Sequence, residues 1–262
     1  MMDLEIVIDH EYKDFAVQEL IEQFDEFEQQ TEKYHLYMNR GSRREMLDRY
    51  QILNNHYAIF DGHGSSHVAD YLTQNLLQKI QNEMSDQDYK QLFNEIDSNL
   101  SQYTQSGSVA ILLSIQNKTV TITNLGDCKA IVFREDSHQQ LHSIHIPQSK
   151  EENQRIHKQG GLITKRQNIC RVSGQLTVTR SFGDYHLKKF VISEPEITKY
   201  QIKDNDRFIV MASDGFWDEL SETVVQQVLQ KVDPSKNVAK QLYQSIENDY
   251  IRDNVTIMVF PL

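Results

Sequence analysis

Four aspartates at widely separated positions are placed where the chain could build a metal centre: Asp48, Asp61, Asp214 and Asp253. Asp61 and Asp214 each follow a short apolar, strand-like run, and Asp253 precedes another. A carboxylate at the end of a buried strand is costly to desolvate unless a cation compensates its charge, and a divalent ion commonly does so. The placement therefore indicates a carboxylate-bound metal centre.

The surroundings of these aspartates refine this interpretation. A single Asp-Gly pair is most often a turn, but the chain repeats this pattern at Asp61-Gly62 and Asp214-Gly215, and Asp253-Asn254 mirrors it. Glycine lets a backbone carbonyl approach an ion closely. A bridging carboxylate, with others from different strands, can hold two divalent cations about 4 Å apart and activate a shared water. Ligands that are all oxygen predict Mg²⁺ or Mn²⁺.

Neighbouring polar residues could act on a phosphate group. His63 lies beside Asp61, where it could donate a proton to a leaving oxygen; alternatively, it is an ordinary surface histidine, one of ten in the chain. Arg43 and Arg44 belong to a Gly-Ser-Arg-Arg turn that could present a planar fork to a phosphate dianion. Taken alone, that turn is more typical of a solvated basic loop.

The elements that must position these residues alternate between groups of strands and groups of helices from about residue 34. Strands are predicted at 34–38, 56–60, 109–115, 120–125, 130–133, 169–172, 176–180, 208–212 and 255–260. The close spacing of the three runs within 109–133 predicts an antiparallel meander. Clustered strands and paired helices predict an α+β fold, with antiparallel sheets covered by helices.

Helices are predicted from apolar residues that recur at helical spacing. They cover about 68–80, 86–103, 149–159, 224–232 and 238–246. Ser221 and Ser235 are the predicted N-caps of the last two. Residues 1–33 are acidic, and their apolar residues Val17, Leu20, Ile21 and Phe24 form one stripe. We expect a helix on the flank of the domain formed by 34–262, or alternatively a regulatory or partner-binding segment.

Composition excludes several classes of protein. The net charge of −11 disfavours general affinity for nucleic acid or anionic membrane. No apolar run approaches the ~20 residues of a membrane span, and the first residues lack the basic start of a signal peptide. Two cysteines make a disulfide framework improbable and fit a reducing compartment. We therefore expect a monomeric protein of the cytoplasm or nucleus, with no nucleic-acid or membrane partner.

Short motifs follow one another in a characteristic order. They lie at 43–48 (Arg-Arg-Glu-Met-Leu-Asp), 61–64 (Asp-Gly-His-Gly), 106–110, 124–127 (Asn-Leu-Gly-Asp), 152–161, 176–184, 193–196, 212–218 and 252–254. Their types and order resemble those of the metal-dependent serine/threonine protein phosphatases of type 2C, over about residues 34–260. This resemblance implies a central antiparallel β-sandwich flanked by pairs of α-helices in a four-layer α/β/β/α arrangement.

The resemblance also implies roles for individual residues. Asp61, Asp214 and Asp253 would hold one Mg²⁺ or Mn²⁺ ion, while Asp61 and the Gly62 carbonyl would hold a second. Asp218 would contribute to a weak third site. The metals would lie at one end of the sandwich.

The implied reaction is hydrolysis of phosphoserine and phosphothreonine in phosphoprotein substrates by a catalytic domain at 34–262. Arg43 would bind the substrate phosphate, His63 would act as general acid, and Asp48 would orient metal-bound water. A bridging hydroxide would attack phosphorus in line, without a phosphoenzyme.

Two departures from the family pattern leave an alternative open. Leu47 and Ile144 replace acidic residues that the family uses around its second and third metals. The alternative is therefore a weak or inactive pseudophosphatase that binds phosphoproteins or other partners. A haloacid-dehalogenase-like site at Asp204-Asn205-Asp206 is set aside, because this motif precedes its apolar strand rather than ending it.

Overall fold

The computed structural model describes residues 25–81, 83–248 and 250–262, and its strands are the elements that carry the site. In chain order they are β1 (Glu26–Gln30), β2 (His35–Asn39), β3 (Arg49–Leu53), β4 (His56–His63), β5 (Gly107–Gln116), β6 (Thr119–Leu125), β7 (Lys129–Phe133), β8 (His138–Gln140), β9 (Ile163–Arg166), β10 (Ile169–Val172), β11 (Phe182–Gly183), β12 (Glu196–Gln201), β13 (Phe208–Ala212) and β14 (Val255–Pro261).

The helices lie between the strand groups. They are α1 (His67–Asn75), α2 (Asp86–Ser98), α3 (Lys150–Lys158), α4 (Asp214–Trp217), α5 (Glu222–Leu229) and α6 (Val238–Gln244). The Ser85 side chain caps α2 through the backbone N–H of Asp88, and Ser221 caps α5 as predicted. Asn237 caps α6 instead of Ser235, because the Ser235 hydroxyl donates to Asp233 in the preceding turn.

Two antiparallel sheets form the centre of the molecule. Sheet I has the strand order β1-β2-β14-β13-β7-β8, and sheet II has the order β12-β6-β5-β4-β3, with β11 beside the start of β5. Strands β9 and β10 form a separate hairpin. The apolar residues of sheet I alternate between its two faces, so that Ile209 and Met211 of β13 point toward sheet II while Val210 points away.

Three apolar clusters separate four layers. One lies between the sheets, a second packs sheet I against α4, α5 and α6, and a third packs sheet II against α1 and α2. This is the predicted antiparallel sandwich flanked by helices, so the predicted fold class is confirmed. Both faces of each sheet are covered, which explains why the central strands read as nearly continuous apolar runs.

The predicted meander is wrong at its third strand. Strands β5 and β6 pair in sheet II, but β7 pairs with β13 and β8 in sheet I. The chain crosses between the sheets at Gly126 and Asp127, where Gly126 has φ +128° and a Cβ would clash with Val109. A short connection can change sheets as easily as it can form a hairpin, so spacing alone does not distinguish the two.

Other elements also differ from the predictions. Residues 26–30 form the edge strand β1 rather than part of an N-terminal helix, since their side chains alternate between exposed and half-buried positions. The predicted apolar stripe at Val17 to Phe24 lies outside the described residues. The sequence patterns do not predict strands β3, β8, β9, β11 and β12, and 176–180 makes only isolated bridges. Within the described residues, no helix is long and apolar enough to cross a membrane.

Candidate active site

Strand ends bring the predicted site residues together at one end of the sandwich. Asp61 and Gly62 lie near the end of β4, Asp214 follows β13, and Asp253 precedes β14. Because β13 and β14 are antiparallel neighbours, the end of one lies beside the start of the other. A cleft of about 490 Å³ opens here, and it is lined by Arg43, Arg44, Leu47, Asp61, Gly62, His63, Asp127, Arg171, Asp214 and Asp253, among others.

Asn254 fixes the loop that carries Arg43. Its side-chain amide donates to the backbone carbonyls of Arg40 and Glu45 (2.8 and 3.1 Å), and its carbonyl accepts from the Leu47 N–H (2.7 Å). Gly41 adopts φ +60°, and a Cβ there would lie 2.2 Å from the Asp253 carbonyl oxygen. One buried amide and one close backbone approach therefore set the position of this loop against Asp253.

Asp48 lies beneath the cleft and is 1% exposed. Its Oδ2 accepts hydrogen bonds from the hydroxyls of Ser213 (2.9 Å) and Thr256 (2.7 Å). Desolvation raises the pKa of Asp48 to about 7; the two hydroxyls lower it, and repulsion from Asp214 and Asp253 raises it. Asp48 therefore connects the loop after β2 with the strands that carry Asp214 and Asp253.

Asp61, Asp127 and Asp214 repel one another at the base of the cleft. They remain partly exposed to it, yet desolvation by the surrounding protein is the main reason that their pKa values are raised, that of Asp214 to about 6. Repulsion between the carboxylates adds to this shift. Asp214 contributes to the raised pKa of Asp61, and a cation between these carboxylates would relieve the cost of placing them together.

Arg43 extends into the cleft and contacts a predicted metal ligand. Its Nη2 lies 2.6 Å from Asp253 Oδ2, and its Nε donates to the Arg252 carbonyl oxygen at 3.1 Å. More than half of its side-chain surface is exposed. The guanidinium is thus held at the cleft by the segment that precedes β14, although it belongs to the loop between β2 and β3.

His63 is oriented by a buried carboxylate. Its Nε2 lies 2.7 Å from Oδ2 of Asp184, and the Ser181 hydroxyl donates to the same oxygen at 2.6 Å. Burial opposes ionisation of Asp184, but His63, Ser181 and Lys188 together outweigh it, and the pKa of Asp184 falls below its usual value. A Cβ at Gly107 would lie 2.2 Å from Asp184 Oδ2 and 2.6 Å from His63 Nε2. Glycine at 107 is therefore needed for this pair.

Two of the predicted residues lie apart from the cleft surface. Asp48 is buried behind it. Asp218 is exposed and lies one helical turn after Asp214, and its N–H donates to the Asp214 carbonyl. The nearest compensating charge for Asp218 is Lys129, which itself pairs with Glu222 at 2.8 Å. The other predicted residues, Arg43, Asp61, Gly62, His63, Asp214 and Asp253, line one cleft.

Sequence reasoning missed Asp127 and Asp184. Both ended motifs that were recognised, yet neither was given a role. Asp127 follows Gly126 at the point where the chain changes sheets, and Asp184 adopts left-handed backbone angles (φ 50°) after β11. An aspartate that ends a motif after a strand was the available signal, since the same pattern identified Asp61 and Asp214.

The donor set fits a hard divalent cation. Among the described residues, no three His, Cys, Asp or Glu side chains already converge as a metal cage. However, Asp61, Asp127 and Asp214 present oxygen ligands whose pKa values are raised by desolvation first and by repulsion from neighbouring carboxylates second. Oxygen donors of this kind suit Mg²⁺ or Mn²⁺.

Solved structures with the same fold extend over nearly the whole chain. A Caenorhabditis elegans sex-determining protein superposes with a TM-score of 0.78 at 21% identity, covering 89% of this chain and 65% of that one. A serine-threonine phosphatase 2C from Toxoplasma gondii superposes with a TM-score of 0.73 at 17% identity, covering 90% and 99%.

Sequence relatives point to the same family. Probable protein phosphatase 2C 14 of Arabidopsis thaliana is 30% identical over 230 residues, which are 79% of this chain and 52% of the relative. Probable protein phosphatase 2C 45 of Oryza sativa subsp. japonica is 31% identical over 212 residues, 78% of this chain and 75% of the relative. The chain spans little more than half the length of several relatives that it matches. The family model for protein phosphatase 2C matches residues 20–255, and the chain therefore belongs to the protein phosphatase 2C family, whose members are metal-dependent.

Proposed function

We propose that this chain is a metal-dependent protein phosphatase that hydrolyses phosphoserine and phosphothreonine in proteins. Membership in the family supports the proposal, and the cleft at the end of the sandwich supplies the chemistry. Its substrates would be phosphoproteins. We also propose that it acts as a monomer of the cytoplasm or nucleus.

The observation that carries the proposal is the uncompensated negative charge at the base of the cleft. Desolvation and mutual repulsion raise the pKa values of Asp48, Asp61, Asp127 and Asp214 together. Within the described residues, Arg43 forms an ion pair with Asp253, and no ion pair is formed by these four. A protein tolerates such a cluster when a ligand of opposite charge occupies it.

We assign two ions to this cluster, with a third site of lower affinity. Asp61, Asp214 and Asp253 would hold one ion, Asp61 and the Gly62 carbonyl the other, and Asp218 would contribute to the third. When bound, Mg²⁺ or Mn²⁺ would supply Lewis acidity and a water nucleophile active near neutral pH. Asp48 is buried behind the ligands. Its carboxylate is held there by hydrogen bonds from Ser213 and Thr256.

Arg43 is assigned to the substrate phosphate. Its Nε and Nη2 contact Arg252 and Asp253, while its Nη1 has no acceptor among the described residues. A guanidinium presents planar pairs of donors that match phosphate oxygens. Asp253 and Arg252 therefore act as positioning residues for Arg43.

His63 is assigned as the general acid. As the bond from phosphorus to the serine or threonine oxygen breaks, that oxygen accumulates negative charge and takes a proton from the imidazole. Asp184 holds Nε2 of His63, so the other ring nitrogen, Nδ1, is the one that can deliver the proton. The products are inorganic phosphate and the free hydroxyl side chain.

No observation on the described residues favours the pseudophosphatase alternative. The predicted metal ligands are all present, and Arg43 and His63 line the same cleft. Leu47 also lines it, so the side chain that replaces a family glutamate does face the site.

The proposal is tested by hydrolysis of a phosphothreonine peptide during Mg²⁺ and Mn²⁺ titrations. We expect turnover that requires the metal and is lost in Asp214→Asn. Asp204→Asn is the matched control, because Asp204 is exposed and precedes β13, whereas Asp214 follows that strand at the cleft. Absence of turnover at millimolar metal, in wild-type protein with a cooperative unfolding transition, would reject the phosphatase in favour of the pseudophosphatase.

A further inference from the structure

The β9–β10 hairpin brings positive charge to a cleft whose base is negative. Of the 38 acidic residues in the chain, none lies between positions 153 and 183, whereas this stretch contains six lysines and arginines. Arg155 and Arg180 of this stretch are paired with Glu152. The hairpin residues Lys165, Arg166 and Arg171 form no ion pair with any described residue. This local charge is opposite to that of the whole chain.

The register of the hairpin determines which face looks toward the cleft. Arg171 pairs with Thr164, and Ile169 pairs with Arg166. Paired residues and residues two apart share a face of an antiparallel pair, so Arg166, Ile169 and Arg171 are on one face. Arg171 lines the cleft beside the site, which identifies this face as the one turned toward the substrate.

The opposite face of the hairpin is anchored. Ile163 and Val172 pack in a small apolar cluster with Ile156 of α3 and with Leu187 and Val191. The Arg171 Nη1 donates to the Gln175 carbonyl oxygen at 2.6 Å. Its remaining donors have no acceptor among the described residues. The guanidinium is therefore held at the rim of the cleft, with donors available to a ligand.

A second guanidinium reaches the cleft from a different element. Arg44 follows Arg43 in the loop after β2, lines the cleft and is exposed. Its side chain forms no hydrogen bond or ion pair with a described residue. Arg44 and Arg171 therefore line the cleft, and Arg166 is exposed on the same face of the hairpin as Arg171. None of these three guanidinium groups is neutralised by an ion pair with a described residue.

We propose that Arg44, Arg166 and Arg171 bind acidic side chains that flank the phosphorylated residue, so that the preferred substrates are acidic phosphopeptide segments. This inference rests on the proposed function. An extended peptide rises about 3.3 Å per residue, as the hairpin strands do. Acidic residues at alternate positions can therefore follow Arg171 and Arg166 along one face. A guanidinium binds a carboxylate with two parallel hydrogen bonds.

The test compares phosphothreonine peptides that differ only in their flanks. One has neutral flanks, two have pairs of aspartates at alternate positions on the N-terminal or the C-terminal side, and two carry a second phosphothreonine in the same places. We expect kcat/KM to be higher for an aspartate peptide, mainly through KM, and by roughly two- to fivefold for each exposed ion pair. The preference should decrease as ionic strength rises.

Variants of the rim identify the side chains responsible. Arg171→Gln and Arg166→Gln should each reduce the preference for the aspartate peptide while leaving turnover of the neutral peptide unchanged. Arg44→Gln should also reduce this preference. Arg171→Glu should reverse the preference, so that the neutral peptide has the higher kcat/KM. Lys199→Gln is the matched control, since Lys199 is exposed on β12 and lies away from the cleft.

Three outcomes would overturn the inference. Equal kcat/KM for neutral and aspartate peptides would reject it, as would a gain seen only with the second phosphate, which would indicate a phosphate subsite instead. If Lys199→Gln and Arg171→Gln reduced the preference for the aspartate peptide equally, the preference would come from the overall electrostatic potential of the protein rather than from a site. If no peptide is turned over, the proposed function fails, and binding of the same peptides measured by fluorescence anisotropy still decides whether the rim prefers acidic flanks.

Discussion

Two polar clusters of this molecule hold carboxylates in opposite electrostatic states. Glu152 of α3, 3% exposed, accepts hydrogen bonds from Arg155 (2.8 Å), Arg180 (2.7 Å) and the Thr179 hydroxyl (2.6 Å). Burial alone would raise the pKa of Glu152, but these partners, Arg180 first, lower it to about 2. This cluster is complete within the protein and joins α3 to the segment that leads toward the cleft.

The aspartate cluster at the base of the cleft, formed by Asp48, Asp61, Asp127 and Asp214, has no ion-pair partner among the described residues. Desolvation raises the pKa of Asp48 to about 7 and that of Asp214 to about 6, and repulsion between carboxylates adds to both. The same type of side chain is therefore stabilising in one cluster and destabilising in the other. In this protein the uncompensated carboxylate cluster is therefore the candidate binding site, whereas the compensated one supports the fold.

The largest expected effect is on stability, from breaking the compensated cluster. Glu152→Gln leaves Arg155 and Arg180 without their buried carboxylate and should lower the free energy of unfolding by roughly 3–5 kcal/mol. Urea denaturation measures this change. The metal-dependent activity per folded molecule should stay within about twofold of wild type. If Glu152→Gln were as stable as wild type, the Glu152 cluster would not be stabilising, and the two clusters would not differ in this way.

Removing a carboxylate from the uncompensated cluster should raise the stability of the metal-free protein, whereas removing Glu152 lowers it. Asp61→Asn removes one of the mutually repelling carboxylates, so the metal-free protein should become more stable, by about 1 kcal/mol. Activity should nevertheless fall by more than about 100-fold, because even residues that only support metal ligands cost 10–100-fold. Urea denaturation in chelator and peptide hydrolysis in Mn²⁺ measure the two effects. Destabilisation in chelator would show that Asp61 is structural.

Thermal unfolding with and without added metal should distinguish the two clusters without an activity assay. At 100 times its dissociation constant, a bound ion stabilises the folded state by about 2.7 kcal/mol. We expect Mn²⁺ to raise the unfolding temperature of wild type and Glu152→Gln alike, and to leave Asp61→Asn little changed. Equal stabilisation of Asp61→Asn would mean that the ion binds elsewhere.

The pair of His63 and Asp184 gives a smaller effect on catalysis. Asp184→Asn keeps the shape of the side chain but removes the charge that orients the imidazole, and should lower kcat by roughly 10–100-fold. The metal affinity measured by calorimetry should be unchanged. The limb of the pH–rate profile that reports the general acid should shift as well, which a purely structural role would not produce.

The smallest expected effect is the pH dependence of the Glu152 contribution. The pKa of Glu152 is lowered on folding from its ordinary 4.5 to about 2, so its contribution is fully present above pH 4.5 and is lost as the pH falls toward 2. The difference in unfolding free energy between wild type and Glu152→Gln should be roughly 1 kcal/mol smaller at pH 3.5 than at pH 7. A difference that is independent of pH would contradict the lowered pKa.

Sequence patterns located most of the strands and helices because their apolar residues recur with the period of the element. They failed where the structure of a segment depends on contacts with other segments. Strand β7 joins sheet I through its pairing with β13, some 80 residues later in the chain, and β1 becomes a strand by pairing with β2. Ser235 looked like a cap, but Asp233 binds its hydroxyl and Asn237 takes its place.

Sequence reasoning identified the residues of the candidate site but not the contacts between them. Asp61, Asp214 and Asp253 were recognisable because each adjoins an apolar strand. The contacts of Arg43 with Asp253 and of His63 with Asp184 were not predictable, because they join residues 210 and 121 positions apart. The place of Arg171 at the cleft likewise depends on how the hairpin packs against α3.

The chemical groups available to this protein follow from its sequence alone: oxygen ligands at strand ends, a histidine and arginines beside them, and the motif order of its family. These are local properties of residue type and spacing. The tertiary structure alone decided which carboxylates are compensated, because an ion pair depends on distance and burial rather than on position in the chain. Glu152 and Asp214 are both acidic residues in recognised motifs, and only the folded arrangement of their neighbours separates an internal support from a site that needs a cation.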